Sequence, residues 1–150
     1  MIRQKISEET KQAMKSGDKA RLSALRMVSS AIKNVDIEAR AQGKDVTEDA
    51  LLGVLQKLVK QRQESADLYD KGGRPELAAA ERAEIAVIQS YLPAQMSEDD
   101  IRAAIKAAIQ KTGAASLKDM GKVIAELKAS HAGQMDFGKA SSVVKTMLGA

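Results

Sequence analysis

The sequence predicts an all-α protein in two helical parts, and three observations carry that prediction. Apolar residues recur at three- and four-residue spacing along most of the chain. Alanine supplies 25 of the 150 residues, against one Phe, two Tyr and no Trp. Alanine loses no side-chain entropy in a helix, whereas strands favour the aromatic side chains that are nearly missing here. Finally, Leu92-Pro93-Ala94-Gln95-Met96 interrupts the helical pattern, because the residue before a proline is pushed out of helical geometry. The expected organisation is an N-terminal four-helix domain with a long antiparallel helix pair over residues 1–92, a linker at 93–96, and a C-terminal three-helix tail over 97–150.

The elements follow in order. A first helix is expected from about Ile2 to Lys15, stopped by Gly17, a residue suited to the left-handed position after a helix. Asp18 then caps a long helix reaching about Arg40, with Leu22, Leu25, Val28, Ile32 and Val35 on one stripe. Gly43 ends it, and Thr47 caps a third helix carrying Leu51, Leu55, Leu58 and Val59. Beyond Gln61 that stripe fades, as for a helix projecting from its bundle, until Gly72-Gly73. Pro75 opens a fourth helix at the position proline tolerates best, with Leu77, Ala80, Ala83, Ile85, Val87, Ile88 and Tyr91 leading to Leu92.

The tail restarts at Ser97, which can cap a helix whose first turn holds Glu98, Asp99 and Asp100, where the helix dipole favours negative charge. That helix, to about Thr112, shows Ile101, Ile105 and Ile109 on one face and closes at Gly113. A second, from about Ser116 to Ala129, shows Leu117, Met120, Val123, Ile124 and Leu127. A third begins near Asp136 and shows Phe137, Ala140, Val143, Val144 and Met147. Such a bundle is near the lower size limit for independent folding.

Composition narrows the chemistry. With no cysteine, neither disulfides nor thiolate metal sites are available. The first residues alternate charged and apolar without the apolar run of a signal peptide, and no stretch approaches the ~18 apolar residues of a membrane span. Cytoplasmic location is the expectation. The net charge of +4 is unevenly spread. Residues 1–44 hold ten Lys/Arg against five Asp/Glu, residues 45–92 six against nine, and residues 93–150 eight against six. Basic ends around an acidic middle suit a polyanion touching two places, although a solvated helical surface is also rich in Lys and Glu.

Several segments resemble the GatB/YqeY family. Leu25-Arg26-Met27 through Ile32-Lys33-Asn34, and Leu55-Gln56-Lys57 with Lys60 to Ser65, are similar to its recurrent segments. Ala83-Glu84-Ile85 to Leu92-Pro93, with Gln95 to Glu98, is similar to its domain junction, and Gly113 to Val123 resembles its tail motif. The segments come in family order and cover nearly the whole chain. The resemblance implies a stand-alone YqeY-like protein whose tail is related to the C-terminal region of the GatB subunit of glutamine-dependent aminoacyl-tRNA amidotransferase, a region that helps to hold tRNA. One departure is notable. Where the family often shows a Gly-Arg-Ala-Asp-Gly-like turn, this chain reads Gly133-Gln134-Met135-Asp136-Phe137-Gly138-Lys139, so an arginine contact there is lost and Lys139 is its nearest substitute.

Catalytic constellations are sought without success. The only His is His131, in a Gly- and Ala-rich turn, which leaves a Ser-His-Asp triad without support. Asp99-Asp100 follows a Ser cap and needs no metal to explain it. No glycine pattern follows a strand to cradle a nucleotide, so no cofactor is expected, and size and pattern speak against a self-sufficient ligase. The candidate RNA contacts are Lys118, Lys122, Lys139 and Lys145 in the tail, with Arg26 and Lys33 in the first domain. Lys118 and Lys122 are four apart and are expected on one helix face, and Lys11, Lys15 and Lys19 also repeat every four residues. Scarce aromatics argue against base stacking on single strands and for a folded RNA read by shape. The expected function is a non-catalytic tRNA- or RNA-associated accessory protein. The alternatives are a helical protein-interaction adaptor using alanine faces such as Ala103, Ala104, Ala107 and Ala108, with a partner in translation or amidotransferase machinery, or a subunit in carbon–nitrogen ligation with glutamine as amido donor.

Overall fold

Helix ends fall where the capping residues put them. The computed structural model describes residues 1–149, and these hold seven α-helices, one 3-10 turn and no strand. The helices are α1 (Ile2–Ser16), α2 (Lys19–Ala41), α3 (Glu48–Lys71), α4 (Pro75–Gln89), α5 (Glu98–Thr112), α6 (Met120–Ser130) and α7 (Phe137–Gly149), with the 3-10 turn at Leu117–Asp119. Gly17 has φ 73° and ends α1 in the left-handed region. Asp18, Thr47 and Ser97 accept from the backbone N–H three residues on and so cap α2, α3 and α5. The chain divides into two units, Met1–Leu92 and Pro93–Ala150.

In the first unit, apolar residues from all four helices meet. Ile6 and Ala13 of α1, Leu25, Val28 and Ile32 of α2, Leu51 and Leu55 of α3, and Ile88 of α4 form one buried cluster closed by Tyr91. The pairing of the long helices differs from what length suggests. α3 packs chiefly along α4 and α1 along α2, while α2 and α3 share only a short contact. The far half of α3 does not project alone as its fading stripe suggests. Ala66 is fully buried and so is Ala78 of α4, small residues that let two helices approach closely. Arg62 of α3 donates to Glu84 of α4 at 3.0 Å, and Arg82 of α4 bonds Asp70. Polar residues therefore join this part of the hairpin.

Two details of α4 also depart from expectation. It stops at Gln89 rather than Leu92, and Ser90 and Tyr91 form a turn. Its buried residues near the start are not Leu77, Ala80 and Ala83, which are exposed, but Ala78. The antiparallel partner fixes which side of an alanine-rich helix faces inward, and an alanine run by itself has no strong side.

The second unit is a three-helix bundle around Ile105, Ala108, Val123, Leu127, Ala140 and Val144, completed by Met135 from the loop before α7. Gln95 Nε2 donates to the Gly133 carbonyl at 2.8 Å and the Met96 N–H to the Gln134 carbonyl at 2.9 Å. Part of the expected linker is thus bonded onto the second unit. The expected helix from Ser116 is divided between the 3-10 turn and α6, and Leu117 is exposed rather than part of the core stripe. Met147 of α7 is likewise partly exposed.

Candidate nucleic-acid interface

The tail lysines are positioned by the junction between the 3-10 turn and α6. Asp119 Oδ2 accepts from the Ala115 N–H at 3.0 Å and the Ser116 N–H at 3.4 Å. Those bonds, chiefly from Ala115, hold its carboxyl below the usual carboxylate range. The anchored carboxylate fixes the turn that carries Lys118 and lies 3.8 Å from the Lys122 ammonium. Lys118 and Lys122 are both exposed, but Lys118 is in the 3-10 turn and Lys122 in α6, so their spacing of four does not by itself put them on one α-helical face. Between them Gly121 sits exposed in the first turn of α6, where a Cβ would meet nothing within 4 Å.

The other two candidates are separated by α7. The 3-10 turn packs against α7, with the Leu117 side chain beside Gly149, so Lys118 lies toward the C-terminal end of that helix. Lys139 is in its first turn, at the opposite end. Lys139 and Lys145 are both exposed, and at 3.6 residues per turn their side chains leave α7 about 120° apart. The four lysines therefore do not form one cluster. Lys118 and Lys122 belong to one end of the bundle, and Lys145 lies in the C-terminal half of α7. Lys139 belongs to the end where the Lys128 ammonium stands 5.9 Å from the centre of the Phe137 ring. The sequence reading missed Lys128, whose signal was the lone Phe nine residues on.

In the first unit, Arg26 and Lys33 are exposed on α2. Lys33 lines a groove between α1 and α2 together with Lys11. Lys11, Lys15 and Lys19 do not share one helix face, because the turn at Gly17-Asp18 falls within the run. Arg3, Arg21, Arg62 and Arg82 of this unit are engaged internally. Arg21 donates to Glu9 at 2.7 Å, and Tyr91 donates to the same carboxylate oxygen. The Tyr91 hydroxyl, then Arg21, hold the Glu9 carboxyl low despite its partial burial. Burial first, and then the hydrogen bond to Glu9, push the Tyr91 hydroxyl up.

Groups suited to other chemistry do not converge. Among the described residues no three His, Asp or Glu side chains gather as metal ligands, and every buried side-chain polar atom has a partner. His131 Nδ1 is 2.8 Å from the neighbouring Ser130 hydroxyl. No helix among the described residues is long and apolar enough to cross a membrane.

The architecture is that of an all-helical protein in two units with an exposed, lysine-bearing tail. Residues 3–148 match the family described as Yqey-like protein, and the chain belongs to that family. Among curated proteins it is similar to altered inheritance of mitochondria protein 41, mitochondrial, of several yeasts. The Lachancea thermotolerans protein is 38% identical over 87 residues, covering 58% of this chain and 46% of the relative. The Vanderwaltozyma polyspora protein is 37% identical over 87 residues, with the same coverage. The Eremothecium gossypii protein is 35% identical over 89 residues, covering 59% and 48%. The chain spans about half the length of these relatives.

Proposed function

We propose that this protein is a non-catalytic accessory protein that binds structured RNA, tRNA above all, through its tail. The observation that supports this most is Gly121. In the first turn of α6 a Cβ at this position would meet no neighbouring atom within 4 Å, so no packing contact of this chain calls for glycine there. It lies between Lys118 and Lys122, where the missing Cβ leaves room for a phosphate backbone to come close to the helix. Lys118 and Lys145 have no ion-pair or hydrogen-bond partner among the described residues and are open to phosphates. Arg26, Lys33 and Lys139 act as secondary contacts in this reading. Kinship of the tail with the tRNA-holding region of GatB, and cytoplasmic placement, belong to the same proposal. The yeast relatives are named for mitochondrial inheritance, and an RNA-associated role in an organelle is compatible with that name.

The test is a titration with labelled bulk tRNA and with duplex DNA of similar length at several salt concentrations. The double variant Lys118→Gln/Lys122→Gln should bind tRNA more weakly, with a salt slope smaller by about 2 if each lysine meets one phosphate. Gly121→Ala should lower tRNA affinity while leaving tail stability undiminished, a combination that lost folding cannot produce. Equal binding of tRNA and DNA, or indifference to all three substitutions, would overturn the reading.

A second reading has its own observation. Arg102, Ser142, Val143, Thr146 and Met147 line a mainly apolar hollow of about 420 Å³ on the tail. A helical adaptor would seat a partner's side chain there, and tRNA binding would then be absent while Met147→Lys abolished partner capture. A subunit role in glutamine-dependent carbon–nitrogen ligation would instead appear as activity only when a glutaminase and a catalytic partner are supplied.

A further inference from the structure

α1 and α2 flank an open groove of about 380 Å³. Its floor is Ile6 and Ile32, both nearly fully buried. Ser7 and Lys11 stand four apart on α1, and Ser29 and Lys33 four apart on α2, so each pair shares a face. At one end Arg3 bonds both oxygens of Asp36, at 2.8 and 2.5 Å. Because Asp36 is the groove's only carboxylate and is matched by Arg3, the lining keeps the charge of two lysines. Lys11, Lys33, Ser7 and Ser29 have no hydrogen-bond or ion-pair partner among the described residues. Two ammonium groups and two hydroxyls are therefore left to a ligand.

We infer that this groove binds a small phosphate monoester, its phosphate held between Lys11 and Lys33 and its apolar or ring-bearing body lying on Ile6 and Ile32. The charge selects the class. A monoester carries about −1.5 to −2 at neutral pH and offers three acceptor oxygens, matching two lysines and two hydroxyls. A diester linkage carries a single charge and would leave one lysine uncompensated. The size agrees, since ligand sites of about 300–1,000 Å³ are usual and a phosphate alone would fill a small part of this one. The apolar floor gives the remaining volume a reason to hold a carbon skeleton rather than water. This site lies in the first unit, apart from the tail surface, and shares with the RNA reading only Lys33, a secondary contact there.

The experiment is an amide NMR titration of the full chain with adenosine 5′-monophosphate, adenosine, inorganic phosphate and a short RNA lacking terminal phosphates. The nucleotide should give saturable shifts at Ser7, Lys11, Ser29 and Lys33, with adenosine and phosphate about tenfold weaker or more. Lys11→Gln/Lys33→Gln, both exposed and so without effect on the spectrum's dispersion, should weaken the nucleotide by at least about tenfold. Lys118→Gln/Lys122→Gln should leave that titration unchanged, which separates this site from the tail. No saturable shift in the groove, equal shifts with adenosine, indifference to the Lys11 and Lys33 substitutions, or tighter groove binding by the unphosphorylated RNA would each overturn the assignment.

Discussion

In the first unit, charged side chains reach from helix to helix. In the second, the helices meet through apolar residues, and polar groups mostly cap ends. Arg3–Asp36 and Arg21–Glu9 join α1 to α2, Tyr91 reaches Glu9 across 82 positions of sequence, and Arg62–Glu84 and Arg82–Asp70 join α3 to α4. Lys5 adds its ammonium 5.3 Å from the centre of the Tyr91 ring. Across the tail helices Lys111 pairs with Glu126 at 2.7 Å, while Lys122–Asp119 is local. The difference teaches how cations are apportioned. Four arginines, Arg3, Arg21, Arg62 and Arg82, make links between helices of the first unit, a role the forked guanidinium suits. In the tail, Lys118 and Lys145 have no partner among the described residues, and the proposed function leaves them to phosphate.

The contrast breaks most visibly in the tail core. Leu127 is fully buried, and Leu127→Ala should cost about 2–5 kcal/mol. That is a large share of what so small a bundle can hold, so amide exchange across α5–α7 should rise toward that of an open chain.

A smaller effect is expected where the first unit closes. Tyr91→Phe keeps the ring and removes the donor to Glu9, for a loss of about 1.5–3 kcal/mol, measurable by urea unfolding. The pH dependence has a definite sign. Glu9 is held below its ordinary value of 4.5, so its contribution is present above that pH and lost as pH falls through the lowered value. The gap between wild type and Tyr91→Phe should therefore be full near neutrality and shrink below about pH 4.5. A gap that stays constant into acid would mean that the ring packing, not the Glu9 link, holds Tyr91.

The smallest effect sharpens the comparison from the tail's side. Ser97→Ala removes the cap that accepts from the Asp100 N–H and should cost about 1 kcal/mol, read as increased fraying at the start of α5.

Helix ends were the most legible part of the fold, because caps act within four residues. Asp18, Thr47, Pro75, Ser97 and Gly113 all mark ends where local chemistry puts them. Burial was legible where large aliphatic residues set a stripe, as at Leu25, Val28 and Ile32, and unreadable where alanines did, as at Ala78 against Ala80 and Ala83. Of the candidate site, the exposure of each lysine could be anticipated, but not its company. Lys118 and Lys122 were expected on one helix, and the carboxylate of Asp119 turns the chain between them.

By itself the sequence determined the all-helical class, the order of seven helices, the absence of thiolate chemistry and the family kinship, since each rests on local propensity, spacing or motif order. Tertiary structure decided that α3 lies along α4, that Glu9, Arg21 and Tyr91 share one link, that Lys139 stands apart from Lys118, and that Lys11 faces the same groove as Lys33. Those facts depend on which helix faces are buried against one another. That choice comes from the sum of many distant contacts, which no short window of sequence contains.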